Sequence, residues 1–168
     1  MSVIAARVYQ DKIVVAADSI IVHGWSKRTA NFSKLEYINE MIVGGCGEAQ
    51  ECGLMWRYMQ THRPESPTEK DVLAFLVEFS RWKKDLTGNA DTENQYIMAY
   101  AGHLFQIEPL FTFEIKDYAA IGAGEDFATA ALYLGHSPED AAKVACELSC
   151  YVAEPVVRFE MPREEVKP

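Results

Sequence analysis

The chain lacks the sequence features of a membrane, exported or metal-dependent protein. None of the apolar runs in its 168 residues approaches the roughly 18 residues that cross a bilayer. Its first residues have neither the basic start nor the long apolar stretch of a signal peptide, so we expect a cytoplasmic protein. Its four cysteines and four histidines do not form a set with zinc-ligand spacing. We therefore expect free, buried thiols, no metal and no cofactor.

Positive charge is also scarce. The 16 lysines and arginines face 25 aspartates and glutamates, which gives a net charge of −9. Such a surface repels phosphate backbones, and no basic amphipathic helix is present, so we expect neither nucleic acid nor membrane as a partner. With 49% hydrophobic and 24% charged residues, the composition indicates one globular domain over 1–168. Its last residues, about 162–168, are expected to form a charged, frayed tail.

Runs of strands alternate with pairs of helices along the chain. The first third reads as apolar strands, including one over 35–43, up to a glycine-rich turn at 44–47. Two helical patterns follow, the second with Ser66 as its predicted N-cap and Gly88 at its end. Strands return over 96–121, then come two helices and a last strand. Because strands occur in runs, we expect an α+β fold with two antiparallel sheets face to face and a helix pair on each outer face, a four-layer αββα sandwich.

Ser2, Asp18 and Lys34 are the candidate catalytic residues. Once Met1 is removed, Ser2 combines a nucleophilic hydroxyl with its own α-amine, a base whose pKa is about 7.7–8.0 in model peptides. Lys34 begins a strand and would favour the deprotonated oxygen, and Asp18 ends an apolar strand and would orient the lysine. From the residue types alone, a turn carboxylate and a solvated lysine remain the simpler interpretation.

The spacing of these residues favours the catalytic interpretation. Asp18 follows Ser2 by 16 positions, and Lys34 follows Asp18 by another 16. This pattern resembles the proteasome β-subunits and the bacterial HslV peptidase, whose N-terminal Thr, strand-end Asp and Lys have the same intervals. The stretch IVVAADS at 13–19 is similar to the family's VIVAADS strand, and AIGAG at 120–124 is similar to its AIGSG turn. The resemblance extends from Ser2 to about Met161 and implies the N-terminal nucleophile hydrolase fold.

The resemblance implies a role for each matching residue. Ser2 would be the nucleophile with its α-amine as general base, Lys34 the electrostatic activator, and Asp18 the partner of the lysine. The backbone N–H of Gly47 would bind the oxyanion, with that of Cys46 as the alternative, because the glycine-rich loop is shorter here than in the family.

Three further positions correspond to the family's specificity pocket: Ile21, Phe32 and Glu36. Ile21 and Phe32 would form an apolar wall, and Glu36 would admit a basic side chain. The two apolar residues are equally compatible with a plain core.

The sequence also departs from the family. The nucleophile is Ser in place of Thr, and Ala123 stands where the family has a serine. Tyr151 stands where the family has an aspartate on its last long helix. Glu154 is the candidate replacement for that carboxylate, and Tyr151 or Ser149 the candidate source of a hydroxyl.

These observations lead to one functional hypothesis and two alternatives. The first is a self-compartmentalising peptidase in which identical subunits form a ring or stacked rings and an ATPase unfoldase supplies a peptide or unfolded protein. The second is an inactive ring-forming structural protein with the same fold. The third is an amidase that acts on a small substrate through the same N-terminal nucleophile.

Overall fold

The computed structural model describes residues 1–23, 26–28 and 32–163, which form eleven strands and four helices. The strands are β1 (Ile4–Val8), β2 (Lys12–Asp18), β3 (Ile21–His23), β4 (Ser26–Arg28), β5 (Leu35–Ile38), β6 (Met41–Cys46), β7 (Gln95–Tyr100), β8 (His103–Glu108), β9 (Phe111–Ile115), β10 (Tyr118–Ile121) and β11 (Val156–Pro162). The helices are α1 (Ala49–Met59), α2 (Glu69–Thr87), α3 (Glu125–Tyr133) and α4 (Pro138–Leu148). Within the described ranges, none of the helices has the length and apolar character needed to cross a membrane.

Two sheets stack between two helix pairs. One sheet has the strand order β10-β1-β2-β11 and the other β5-β6-β7-β8-β9, and each pairing is antiparallel. One buried apolar cluster lies between the sheets, a second lies between α1, α2 and the five-stranded sheet, and a third joins α3 and α4 to the four-stranded sheet. The αββα prediction is confirmed.

A hairpin divides segment 35–43, for which the sequence pattern predicts one strand. Ile38 pairs with Met41, and the two residues between them, Asn39 and Glu40, have φ of 50° and 65°. Positive φ at both central residues is the type I′ geometry that suits a two-residue hairpin. The prediction of one strand over 35–43 is therefore wrong. The hairpin brings Lys34, just before β5, and Gly47, just after β6, to the same end of the sheet.

Helix α2 begins two residues later than predicted. Its N-cap is Thr68, whose side-chain oxygen accepts a hydrogen bond from the N–H of Asp71 at 3.3 Å. The Ser66 hydroxyl instead donates to the Asp71 carboxylate, so Ser66 as the N-cap is wrong. The helix ends as predicted at Gly88, whose left-handed conformation lets its N–H bond the Lys84 carbonyl.

Two other predictions need correction. Pro162 belongs to β11, and Arg163 donates from its backbone N–H to the Asp11 carbonyl and from its guanidinium to the carbonyls of Tyr9 and Gly102. The frayed tail predicted from 162 is therefore wrong for these two residues, and 164–168 lie outside the described residues. Cys146 is half-buried on α4 and Cys150 is exposed after it, so the prediction of buried thiols is wrong for these two cysteines.

Candidate active site

The ends of three strands bring Ser2, Asp18 and Lys34 together. Ser2 lies just before β1 and Asp18 is the last residue of β2. These antiparallel strands pair Ile4 with Ala17, so the start of one lies beside the end of the other. Lys34 comes from the facing sheet, just before β5. The exposed fractions of Ser2, Asp18 and Lys34 are only 4%, 1% and 5%.

Asp18 and Lys34 form a buried ion pair. The Lys34 ammonium nitrogen Nζ lies 2.9 Å from Asp18 Oδ1 and 2.8 Å from Oδ2. Oδ1 also accepts a hydrogen bond from the N–H of Val3 at 2.9 Å. Buried charges are costly unless they are paired and hydrogen-bonded, and both conditions are met here. The Asp18 carboxylate thus binds two partners: Lys34, which comes from the five-stranded sheet, and the backbone next to Ser2 in the four-stranded sheet.

The same ammonium group contacts the backbone that precedes Ser2. Lys34 Nζ donates a hydrogen bond to the Met1 carbonyl at 2.9 Å, and that carbonyl carbon is bonded to the Ser2 nitrogen. An ammonium group has three donors, and here they reach the two Asp18 oxygens and Met1. Removal of Met1 would release the third donor at the position where the new α-amine of Ser2 forms.

The turn at 122–124 closes the site around the Ser2 backbone. The Ser2 carbonyl accepts a hydrogen bond from the N–H of Gly124 at 3.2 Å. Gly122 has φ of +94°, and a Cβ atom there would collide with the Ser2 carbonyl oxygen and lie 3.4 Å from Cys46 Cβ. Glycine is therefore required at 122 both for its conformation and for its close approach to Ser2.

We expect Gly122→Ala to destabilise the protein more than Gly135→Ala. The two glycines have φ of +94° and +91°, but nothing lies within 4 Å of a Cβ at Gly135. Both substitutions carry the conformational strain of about 1–3 kcal/mol, and only the first also displaces the Ser2 carbonyl. The free energy of unfolding in urea measures the difference. Equal losses in the two variants would contradict the close packing against Ser2.

Gly47 lies directly after β6, where the chain turns into α1. Cys46 is the last paired residue of β6 and lies opposite Gln95, whereas Gly47 lies beyond the ladder with φ of +130°. The N–H of Glu48 donates to Asn94 Oδ1, and in the described part of the chain no group accepts the N–H of Gly47. This arrangement favours Gly47 over Cys46 as the donor to an oxyanion.

The Cys46 thiol lies beside the site and does not compete with a serine nucleophile. Burial raises its pKa to about 11, although the nearby terminal ammonium acts in the opposite direction. The thiolate is the nucleophilic form of cysteine, and a thiol with this pKa stays protonated at neutral pH.

The described residues include no cluster of three or more His, Cys, Asp or Glu that could hold a metal ion.

Solved structures with the same architecture were found by comparison. The chain superposes on the bacterial proteasome homologue BPH of Thiobacillus denitrificans with a TM-score of 0.84 and 18% sequence identity, covering 98% of this chain and 99% of that one. The BPH complex with epoxomicin gives a TM-score of 0.81 at 19% identity and covers 99% and 100% of the two chains. HslV from Trypanosoma brucei gives 0.69 at 20% identity and covers 96% and 99%.

This is the N-terminal nucleophile hydrolase fold of the proteasome type. The resemblance stated from the sequence is confirmed at the level of the fold. No protein-family model and no curated protein sequence matches the chain.

The three predicted specificity residues have different environments within this fold. Ile21 lies in the short strand β3 and is half-buried, and Glu36 lies half-buried in β5 opposite Val43. Phe32 packs against the core between the five-stranded sheet and its helices, as a plain core residue would. Among the described residues, no hydrogen bond joins the Glu36 carboxylate to Ser2, Asp18 or Lys34. Their role in specificity stays a prediction.

The residues that depart from the proteasome-type pattern lie in the 122–124 turn and in the segment after α4. Ala123 is exposed in the 122–124 turn, and Tyr151 and Glu154 are exposed after α4. Ser149 is buried, and its oxygen accepts a hydrogen bond from the backbone N–H of Tyr151 at 3.3 Å. Whether any of them replaces the family's hydroxyl or carboxylate stays a prediction.

Two neighbours of the site, Cys146 and Asn94, are not predictable from the sequence pattern. Cys146 lies on α4, close to Asp18. Burial raises the pKa of the Cys146 thiol to about 11, and the negative charge of Asp18 acts in the same direction. Asn94, just before β7, contacts the chain after Gly47. A lone cysteine on a helix and a lone asparagine before a strand carry no spacing signal that would have identified them.

Proposed function

We propose that the chain is a proteasome-like peptidase whose nucleophile is the Ser2 hydroxyl once Met1 has been removed. The observation that carries this proposal is the Lys34 ammonium, held by both Asp18 oxygens and bonded to the Met1 carbonyl. It sets a buried positive charge beside the Met1–Ser2 peptide group, whose nitrogen becomes the α-amine once Met1 is removed. The shared fold with BPH and HslV supports the proposal.

In the proposed reaction the α-amine of Ser2 takes the proton from Ser2 Oγ while that oxygen attacks the peptide carbonyl carbon. The Lys34 ammonium stays protonated and stabilises the developing negative charge on Oγ. The carbonyl oxygen becomes an oxyanion that accepts a hydrogen bond from the N–H of Gly47. The α-ammonium then gives its proton to the leaving nitrogen, and the C–N bond breaks to leave an ester on Ser2. A water molecule, deprotonated by the same amine, hydrolyses the ester.

Lys34 is unsuited to be the general base in this scheme. All three of its donors are in use in the chain that retains Met1, and two of them bind the Asp18 carboxylate. A lysine that stays protonated has no capacity to accept the Ser2 proton. The free α-amine is therefore the base, and the chain that retains Met1 is inactive in this proposal.

The proposal extends to assembly in rings of identical subunits fed by an ATPase unfoldase, as the resemblance implies. Large apolar side chains are exposed on the side of α3 and α4, and a contact with a second subunit would cover them. These are Tyr133, Leu134 and Leu148. Unfolded proteins and peptides would be the substrates, because a site inside a ring excludes folded ones.

Covalent labelling tests this proposal. Epoxomicin is bound by BPH in one of the similar structures, so it is the probe. Purified protein is fractionated by size, and the intact mass of each fraction shows whether Met1 is absent. Each fraction is then treated separately with epoxomicin and with a short unstructured peptide. We expect processed chains to cleave the peptide and to carry one epoxomicin on the fragment that contains Ser2.

A processed chain that neither cleaves the peptide nor reacts with epoxomicin would contradict the peptidase proposal. In that case the inactive ring-forming protein becomes the better interpretation. The departures at Ala123 and Tyr151, which remove a hydroxyl and a carboxylate from the family's pattern, favour that alternative.

A further inference from the structure

We propose that Asn94 is a positioning residue that sets the orientation of the Gly47 N–H for oxyanion binding. The inference rests on the proposed peptidase function and concerns a residue that neither touches the substrate nor belongs to the Ser2, Asp18 and Lys34 group. Asn94 is 2% exposed and comes just before β7, next to the turn between β6 and α1.

The Asn94 side chain binds both backbone groups of Glu48. Its Oδ1 accepts a hydrogen bond from the Glu48 N–H at 2.7 Å, and its Nδ2 donates to the Glu48 carbonyl at 2.9 Å. Glu48 is the N-cap residue of α1, yet its own side chain makes no capping hydrogen bond. The first N–H groups of a helix need acceptors from outside it. Asn94 therefore accepts the N–H of the N-cap residue from a distant segment, as the N3 side chain does in a capping box.

The same side chain fills the space beside Gly47. A Cβ atom at Gly47 would overlap Asn94 Oδ1. Because Gly47 has no Cβ, the side-chain amide of Asn94 packs directly on the Gly47 backbone. The same amide binds the N–H and the carbonyl of Glu48. Asn94 thus restricts rotation about Gly47 from one side, and the pairing of Cys46 with Gln95 restricts it from the other. The N–H of Gly47 lies between these two anchors.

Asn94 is itself held by a buried ion pair. Its backbone N–H donates to Glu51 Oε1 at 3.1 Å, and Glu51 Oε2 accepts from Lys83 Nζ at 2.6 Å. The hydroxyl of Tyr96 also donates to Glu51 Oε1, at 3.2 Å. Glu51 and Lys83 are buried, and Lys83 bonds the Asp91 carbonyl as well. Because each charge is paired and hydrogen-bonded, the network gives Asn94 a rigid support under the turn.

A purely structural role for Asn94, as a cap for α1, would affect stability alone. A positioning role also affects the transition state, because the oxyanion hole acts there and not in the ground state. The two roles are therefore separated by the kinetic constants of a folded variant, measured well below its melting temperature.

The test compares Asn94→Ala with Thr92→Val in the processed, full-length protein. Thr92 is a matched control, since it is buried two residues away and its hydroxyl has no hydrogen-bond partner among the described residues. Loss of one oxyanion-hole donor costs about 10²–10³ in kcat, and a misplaced donor keeps part of its effect. We expect kcat for a short peptide to fall by about 10- to 100-fold in Asn94→Ala with KM nearly unchanged. Thr92→Val is expected to keep the parent's values.

Hydrogen exchange provides a second readout that does not depend on catalysis. Exchange at 44–54, followed by mass spectrometry, is expected to be faster in Asn94→Ala than in Thr92→Val, because the Glu48 N–H loses its acceptor.

Asn94→Asp keeps the inference testable if Asn94→Ala does not fold. A protonated Asp has the same donor and acceptor pattern toward Glu48 as Asn, whereas an ionised Asp repels the Glu48 carbonyl. Glu51, Cys52 and Tyr96 face this position, and burial raises the pKa of Cys52 to about 12 and that of Tyr96 well above its usual range, so neither titrates near neutral pH. We expect the ratio of variant to parent kcat to rise as the pH falls from about 8 to 6.

Failure of the inference and failure of the proposed function give different results. An active parent with unchanged kcat in Asn94→Ala overturns the inference and leaves the peptidase proposal standing. A kcat ratio of variant to parent that stays at one across this pH range in Asn94→Asp has the same meaning. A processed parent with no peptidase activity and no epoxomicin label overturns both.

Discussion

Replacing Ser2 with Ala is expected to reduce peptide hydrolysis by the processed protein by about three orders of magnitude or more. The substitution removes the attacking oxygen and leaves the α-amine, the Asp18–Lys34 pair and the Gly47 turn in place. Initial rates on a short unstructured peptide measure the effect, and epoxomicin labelling should disappear with the activity. Ser2→Thr is expected to remain active, because it restores the family's usual nucleophile at the same position.

The matched control for this prediction is Ser19→Ala. Ser19 directly follows Asp18 at the end of β2 and is half-buried, so it tests for a general disturbance of the strand ends. We expect it to keep the parent's rate. A form that retains Met1 should be as inactive as Ser2→Ala, because its only base next to the hydroxyl is tied up in a peptide bond. Hydrolysis by Ser2→Ala at the parent's rate would show that the mechanism is wrong.

Asp18→Ala is expected to lower the free energy of unfolding by about 3–5 kcal/mol. The substitution leaves the Lys34 ammonium buried without its counter-ion and removes the acceptor of the Val3 N–H. Urea unfolding measures the loss. Asp11→Ala is the control, since Asp11 is exposed in the turn between β1 and β2, and exposed substitutions of this kind stay within about 0.5 kcal/mol.

A double variant separates the unpaired charge from a simple loss of packing. Asp18→Ala combined with Lys34→Met removes both charges, so it should be more stable than Asp18→Ala alone. If Asp18→Ala has the same unfolding free energy as the parent, the pair is not the buried interaction that the geometry indicates.

The layers of the fold were predictable because the apolar periodicity changes where strands give way to helices. The run of strands before 47 and the return of strands after 95 sufficed to place two sheets between helix pairs. The hairpin at Asn39 and Glu40 was missed because apolar residues continue on both sides of it and no glycine marks the positive φ. Local turn chemistry of this kind is set by pairing across the strands, which the linear pattern does not show.

The candidate site also has residues that the sequence identifies and residues that only the packed structure shows. Ser2, Asp18 and Lys34 could be found because equal spacing and flanking strings resemble a known family. Asn94 could not, because its partner Glu48 lies 46 residues earlier and the contact depends on how two segments meet. The Glu51–Lys83 pair was hidden within helices whose charged residues mostly face solvent, so only the packed structure separates these two from the rest.

The hydrogen bond between Lys34 and the Met1 carbonyl bears on when Met1 can be removed. An aminopeptidase must reach the Met1–Ser2 bond from outside, but in the folded chain Ser2 is buried and the carbonyl of that bond is held by the lysine. We therefore expect Met1 to be removed while the first strand is still free, during or soon after synthesis. Under the proposed mechanism, a molecule that folds with Met1 in place has no free α-amine at Ser2, so it stays inactive for as long as it remains folded.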